Sequence, residues 1–244
     1  MGFFDRLFKK STPQKETKPI KETQQTQSIN TEQELLEKYI GLAFEKQLSF
    51  SSLIEGKEWD ADLTQGSITF GEQMEFPIQI LGSFSYSVNT WLWAWANQQS
   101  NLPENLLPEA FDLRRYGLKH KIDQFRKAEY PFKQDDLKRV GLIATGMFDD
   151  DGYYLADYGG GVMLMTVKSP IIKKNREDQP HKIFSTFSKI ISNFELNHKT
   201  ALSSYLAAKG YQVVVTKDEI RGTKGKENFV AKLDSSDRVI HFGN

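Results

Sequence analysis

The chain has 244 residues, and its 32 basic and 32 acidic side chains cancel to a net charge of zero. Broad nucleic-acid binding requires an excess of basic residues, so we do not expect it. The absence of cysteine excludes a disulfide framework and thiol chemistry. No apolar run approaches the roughly 18 residues of a membrane-spanning helix. The first residues lack the apolar stretch and small-residue cleavage site of a secretory signal, so we expect none. These features favour a cytoplasmic protein.

The first ten residues, MGFFDRLFKK, form a short amphipathic segment. At 100° per residue, Phe3, Phe4, Leu7 and Phe8 gather on one side. We expect this face to dock on a protein partner or on the inner membrane surface, where nearby basic residues favour anionic lipid. Packing against the chain's own domain is the alternative. The segment resembles an amphipathic start that recurs on many otherwise unrelated bacterial proteins.

Residues 11–30 are polar, contain two prolines and have almost no apolar side chains. This composition predicts a disordered linker. We expect the folded part to be a single domain over residues 31–244, with 31–117 and 118–244 as possible sub-halves. A helix followed by several antiparallel strands is expected near residues 31–97 and again near 181–242, which predicts the α+β class with antiparallel sheets packed by helices.

The first predicted helix begins at Asn30 or Thr31, because Glu34 completes a capping box, and it ends near Ser49. Strands are expected over residues 59–63, 67–70 and 78–86, and a short helix over 109–116, with Gly117 as its stop. In the second half we predict a helix over 134–148, a hairpin over 153–167, a charged loop over 173–179, helices over 180–194 and 197–210, and three or four strands over 211–242.

The stretch from 82 to 97, GSFSYSVNTWLWAWAN, is the most distinctive part of the sequence. Alternate residues of a strand share a face, which would place Trp91, Trp93 and Trp95 together. With the alternating run before it, the stretch predicts an antiparallel hairpin that turns at residues 88–90.

Two interpretations of the tryptophan run remain open. Aromatic residues at strand spacing are typically buried in the core. Alternatively, Trp91, Trp93 and Trp95 form a partly open wall that binds a ligand, with polar contacts from Asn97 and Tyr86.

The pattern FPIQILGSFSYSVNTWLWAWANQQSNLP, followed by a helix containing Leu113, Arg114, Tyr116 and Gly117, resembles an uncharacterised bacterial domain family. The later FDDDGYY segment is similar to the same family. The resemblance covers roughly residues 30–170. It implies one compact domain, and it implies no activity.

The sequence contains one carboxylate cluster, at Asp149 to Asp151, with Asp157 beyond it. Hard cations prefer oxygen ligands, so Asp149, Asp151 and Asp157 are candidate metal ligands. A solvated acidic turn is the alternative. The four histidines are scattered without metal spacing, and we assign no catalytic residue and no cofactor.

The leading hypothesis is a non-enzymatic binding or adaptor module that uses the tryptophan hairpin and is tethered by its N-terminus. One alternative is a metal-dependent hydrolase or transferase that uses the Asp149–Asp151 turn. A second alternative is a regulatory or toxin-neutralising protein with every tryptophan in the core. The partner and the oligomeric state are not predicted.

Overall fold

The computed structural model describes residues 31–175 and 180–243, so the expected docking residues Phe3, Phe4, Leu7 and Phe8 and the linker lie outside the described residues. The described chain folds into two antiparallel sheets packed by helices, which confirms the α+β class. The helices are α1 (Glu32–Ile54), α2 (Pro108–His120), α3 (Asp123–Arg126), α4 (Gln134–Met147), α5 (Pro170–Asn175), α6 (Pro180–Asn193) and α7 (His198–Ala208). The strands are β1 (Trp59–Asp62), β2 (Ser67–Phe70), β3 (Met74–Ser85), β4 (Thr90–Trp93), β5 (Glu129–Tyr130), β6 (Gly152–Asp157), β7 (Gly161–Val167), β8 (Gln212–Val215), β9 (Glu219–Lys224), β10 (Glu227–Leu233) and β11 (Val239–Gly243).

Helix α1 begins as the sequence predicts, with a capping box between Thr31 and Glu34. It continues to Ile54, beyond the expected end. The additional turns carry Phe50, whose buried ring meets Phe70 and Phe76 edge-on at 5.7 and 5.9 Å between centroids. Packing against the sheet therefore extends the helix past the point where local sequence signals weaken.

The larger sheet has seven strands, and its long central strand, β3, pairs with β2, β4 and β7. The predicted hairpin is present: Gly82 lies opposite Trp93, and Phe84 lies opposite Trp91. Asn89 in the connecting turn has a φ of 49°, a conformation that asparagine tolerates better than most residues.

The expectation that three tryptophans share one strand face is wrong for Trp95. Strand β4 ends at Trp93, and residues 94–96 form a 3-10 turn. The ladder with β3 reaches only Trp93, so no pairing holds the following residues in an extended conformation. Trp91 and Trp93 are fully buried and meet edge-on, with centroids 5.3 Å apart, whereas Trp95 is half-buried and packs against both core clusters.

The predicted division between residues 117 and 118 does not match the sheets. One sheet uses strands from 59–167 and the other uses strands from 212–243, so a cut at 117 would separate β4 from β5. Helix α2 also continues past Gly117 to His120 and ends at Lys121, whose φ is 59°. Gly117 lies inside the helix, where Phe125 packs directly against it and leaves no room for a side chain.

Helix α1 lies between the two parts of the molecule and contacts α4, α6 and α7. Glu45 of α1 is buried, and each of its carboxylate oxygens lies 2.9 Å from Nζ of Lys209. The hydroxyl of Tyr205 donates to the same carboxylate. The second sheet and its helices are therefore joined to α1 by a buried ion pair as well as by apolar packing.

The expected charged loop begins with a helix instead, since α5 covers 170–175 before the undescribed residues 176–179.

No helix in the described part of the chain is long and apolar enough to cross a membrane.

Candidate functional site

A cavity of about 390 Å³ lies between the first turn of α2, the acidic turn after α4 and the end of β7. Three of its lining residues are carboxylic acids, which come from two separate parts of the chain. We call it the acid cavity, and it is lined by Pro77, Ile78, Gln79, Pro108, Glu109, Asp112, Phe148, Asp150, Thr166 and Lys168.

Local sequence places Glu109 in the first turn of α2. Pro108 occupies the first helical position, where its fixed φ suits the helix and its missing N–H is not needed. The preceding residue, Leu107, provides no side-chain cap. Glu109 is almost completely buried. A carboxyl group in this position lies near the positive end of the helix dipole.

The acidic turn directs Asp150 inward. Asp149 has a φ of 55° and reverses the chain after α4, which lets the Asp150 N–H donate to the Thr145 carbonyl at 2.9 Å. Lys46 donates to the side chain of Asp149 at 2.7 Å and to the Asp150 carbonyl at 2.6 Å. Asp150 is only 1% exposed and Asp151 is buried too, so the solvated-turn interpretation is wrong for both.

Two polar side chains at the end of β7 contact the carboxyl pair. The Thr166 hydroxyl donates to Oε2 of Glu109 at 2.6 Å. Nζ of Lys168 lies 3.2 Å from Oδ1 of Asp150 and 3.9 Å from Oε1 of Glu109. The Lys168 side chain is 56% exposed, so it reaches the buried acids from the solvent side.

Burial changes the protonation of this group. It raises the pKa of Glu109 to about 8, and the neighbouring negative charge of Asp150 adds to the effect. Burial also raises the pKa of Asp150, against the opposing influence of Lys168. Partial burial opposes ionisation of Lys168, yet Asp150 and Glu109 raise its pKa. At pH 7, Glu109 is therefore mostly protonated.

Two buried oxygen acceptors in the lining have no hydrogen-bond partner among the described residues: Oδ2 of Asp150 and Oε1 of Gln79. The amide orientation of Gln79 follows from its surroundings, since its nitrogen donates to the carbonyls of Ile78 and Asn105 at 3.2 and 2.9 Å. Buried polar atoms are ordinarily paired, so these two oxygens mark a place where donors are missing.

A second depression, of about 690 Å³, adjoins the acid cavity and shares Pro108 and Asp112 with it. Trp95 lies in its wall, half-buried, with the Arg114 guanidinium 4.2 Å from the ring centroid. The indole N–H of Trp95 is buried without a hydrogen-bond partner among the described residues. We call this depression the Trp95 cleft, and it is lined by Ala94, Trp95, Asn97, Gln98, Asn101, Leu102, Glu104, Leu107, Pro108, Phe111, Asp112 and Arg115.

The structure separates the residues of the expected aromatic wall. Trp95 and Asn97 line the Trp95 cleft. Trp91 and Trp93 are buried in the core, where a ligand does not reach them. The prediction that aromatic residues at strand spacing are core residues therefore applies to these two. Tyr86 lines neither cavity, and its hydroxyl donates to Oδ2 of Asp157 at 2.7 Å.

The three expected metal ligands do not converge. Asp149 is paired with Lys46, and Oδ2 of Asp151 accepts the N–H of Ser169 at 2.8 Å. Asp157 lies at the far end of β6, where it accepts from the Gly159 N–H. Within the described parts of the chain, no three His, Asp or Glu side chains form a metal-binding group.

The comparison with family models gives one match, a family of unknown function (DUF6882), over residues 33–170. This range is more than half of the chain. The chain belongs to this family. The comparisons with curated proteins and with solved structures find no match. All residues that line the acid cavity and the Trp95 cleft fall inside the DUF6882 range.

Sequence reasoning missed Glu109, Thr166, Lys168 and Gln79. One signal was present: β7 reads GVMLMTV, and Thr166 is the polar residue in that apolar run. Alternation along the strand direction puts Thr166 and Lys168 on the same side. Glu109 gave no such signal, because an acidic residue after a helix-initiating proline is ordinarily an exposed capping residue.

Proposed function

We propose that this domain is a non-enzymatic binding module that takes a small organic ligand in the Trp95 cleft. The supporting observation is the half-buried indole of Trp95 in the wall of a depression of about 690 Å³. That volume lies in the range of small-molecule sites, roughly 300–1,000 Å³. The proposal keeps the aromatic recognition surface expected from the sequence and limits it to Trp95.

The lining supports binding of a ring or short chain with a polar end. Trp95, Leu102 and Phe111 supply apolar surface, and the side chain of Phe111 is partly exposed to solvent. Asn97 and Asn101 supply amide groups. Six of the twelve lining residues are polar, so the cleft suits a ligand that offers hydrogen-bonding groups as well as apolar surface.

The indole N–H signals in the NMR spectrum of the full chain test this proposal. We expect benzamide, a neutral aromatic probe, to shift the signal of Trp95, identified by its loss in Trp95→Phe. The fully buried Trp91 and Trp93 are internal controls, and their signals should stay unchanged. An unshifted Trp95 signal with benzamide and with its charged analogue benzamidine would overturn the proposal.

We also propose that residues 1–10 tether the domain to a protein partner or to the inner membrane surface. Support comes only from the amphipathic pattern of Phe3, Phe4, Leu7 and Phe8. Flotation with vesicles that contain anionic lipid tests the membrane arm, with a Phe4→Ser/Leu7→Ser variant as the control. Equal flotation of both proteins would contradict membrane docking.

The alternatives from the sequence stay predictions. A metal-dependent hydrolase lacks a convergent ligand set in the described residues. A regulatory or toxin-neutralising role is compatible with the burial of Trp91 and Trp93. Such a role requires no open cleft, so it predicts that benzamide leaves the Trp95 signal unshifted.

A further inference from the structure

The acid cavity has more hydrogen-bond acceptors than donors. Thr166 satisfies one oxygen of Glu109, and Lys168 reaches Oδ1 of Asp150. Oδ2 of Asp150 and Oε1 of Gln79 have no hydrogen-bond donor among the described residues. Asp150 lines the acid cavity and is only 1% exposed, and its unpaired oxygen is enclosed by protein.

The charged side chains of the acid cavity also favour a positively charged ligand. The lining contains three acidic side chains, Glu109, Asp112 and Asp150, and one basic side chain, Lys168. Asp112 is in addition paired with Arg115 at the border with the Trp95 cleft. An additional cation in the acid cavity would therefore meet a negative lining once Glu109 is ionised.

We propose that the acid cavity binds the cationic end of a small organic ligand, an amidinium or guanidinium group, whose remaining part lies in the Trp95 cleft. This inference rests on the proposed function and adds the chemical class of the ligand. A planar group with several N–H donors can serve the acceptors of Asp150 and Gln79 together, and its positive charge offsets the buried carboxylates.

A metal ion fits less well, because no three His, Asp or Glu side chains come together in the described residues. Water molecules could supply hydrogen bonds in a cavity of about 390 Å³, but they would not offset charge. Lys168 does not close the site, since its exposed side chain can move outward. Arginine side chains of a protein carry the same group and are the second possible source.

Binding of the cation is linked to release of the Glu109 proton. The titratable groups around that carboxyl are Asp112 on α2, Asp150 and the more distant Asp149 in the turn, and Lys168 after β7. Ionisation of Glu109 places a second negative charge beside Asp150. The affinity for an amidinium is therefore expected to rise between pH 5.5 and 8.5.

The test compares benzamidine with benzamide on the full chain by calorimetric titration. The two probes have the same shape and differ in the charge of the terminal group. We expect benzamidine to bind with a Kd of about 1 mM or below at pH 8.5, at least about tenfold tighter than benzamide. Asp150→Asn should remove this preference, and Asp135→Asn, a matched change at an exposed site on α4, should retain it.

The outcomes separate the two proposals. Equal binding of both probes, with a Trp95 signal that still shifts, would overturn the cation site and leave the Trp95 cleft supported. A benzamidine preference that depends on Asp150, with no shift of Trp95, would support the cation site and overturn the cleft. A preference that survives in Asp150→Asn would overturn the assignment to the acid cavity. Weak, equal binding of both probes would also contradict the cation site, because it would indicate that the cavity holds water alone.

A blocked Gly-Arg-Gly peptide distinguishes the sources of the group. Binding of benzamidine that is tighter than that of the peptide supports a free small molecule. Tighter binding of the peptide that is lost in Asp150→Asn supports the cation chemistry and overturns the assignment to a small-molecule ligand.

Discussion

The indole of Trp91 occupies the space beside Gly82 on the neighbouring strand. A methyl group built on Gly82 would lie 2.4 Å from Cζ2 of Trp91 and 2.5 Å from the carbonyl oxygen of Leu92. Both distances are far below van der Waals contact, and one of them is to backbone. The glycine of the GSFS strand and the first tryptophan of the hairpin are therefore parts of one packing arrangement.

Gly82→Ala is expected to destabilise the fold by about 2–4 kcal/mol, because the indole and the Leu92 carbonyl must both move. Urea unfolding followed by circular dichroism measures the loss. Gly160→Ala is the control, since the nearest atom to its added methyl group would be 3.6 Å away in the Tyr158 ring. That variant should stay within about 0.5 kcal/mol of wild type, and an equal effect of both changes would contradict the packing argument.

The two buried tryptophans of the hairpin should differ in their tolerance of phenylalanine. Nε1 of Trp93 donates to the carbonyl of Gln124 at 2.8 Å, whereas Nε1 of Trp91 is buried with no partner in the described structure. Trp93→Phe loses a hydrogen bond, and Trp91→Phe removes an unsatisfied donor. We expect Trp93→Phe to cost about 1–3 kcal/mol more in the free energy of unfolding. A larger cost for Trp91→Phe would refute this.

Glu109 should make the stability depend on pH. Its pKa is about 8 in the folded protein and near the ordinary 4.5 when unfolded. Below pH 4.5 both states hold the proton. Between the two values only the folded state holds it, so this stabilising contribution is lost as the pH rises to about 8. Glu109→Gln, which cannot ionise, should therefore gain about 1–3 kcal/mol relative to wild type between pH 5 and pH 9.

Melting temperatures across that pH range measure the effect of Glu109→Gln. Asp135→Asn, at an exposed position, is the control and should show a constant difference from wild type. A constant difference for Glu109→Gln as well would show that its carboxyl group titrates normally.

Removing one partner of the buried ion pair between Glu45 of α1 and Lys209, which follows α7, should destabilise the fold. Lys209→Met removes the ammonium group that pairs with the buried carboxylate of Glu45, and we expect a cost of about 3–5 kcal/mol. Lys138→Met, at an exposed pair on α4, should cost less than about 1 kcal/mol. The double variant Glu45→Gln/Lys209→Met should recover part of the loss. No recovery would indicate that Lys209 acts through packing alone.

Much of the fold could be predicted from the sequence, because local signals and tertiary packing agree there. The capping box at Thr31 and the alternation of β3 and β4 identified their elements correctly. The errors occurred where packing outweighed periodicity. Trp95 continues the alternation in sequence, yet the strand has already lost its pairing partner. Gly117 looks like a helix stop, yet it is the contact point for Phe125.

The acid cavity could not be predicted in the same way. Its carboxyl groups belong to residues 41 positions apart, at a helix start and in a turn, and each looks solvated in its own segment. Asp150 was part of the expected metal turn, but the candidates named there were its neighbours Asp149 and Asp151. Only the tertiary arrangement brings Asp150 to Glu109 and gives both a buried environment.

The position of helix α1 affects how the protein unfolds. One continuous core cluster includes Trp91 from the larger sheet and Phe229 from the smaller sheet. Ile40 of α1 belongs to the same cluster. The family match ends at residue 170, whereas α6 and α7, which cover α1, follow it. The two sheets should therefore melt in a single cooperative transition in calorimetry, and hydrogen exchange in α1 should be as slow as the slowest amides of either sheet.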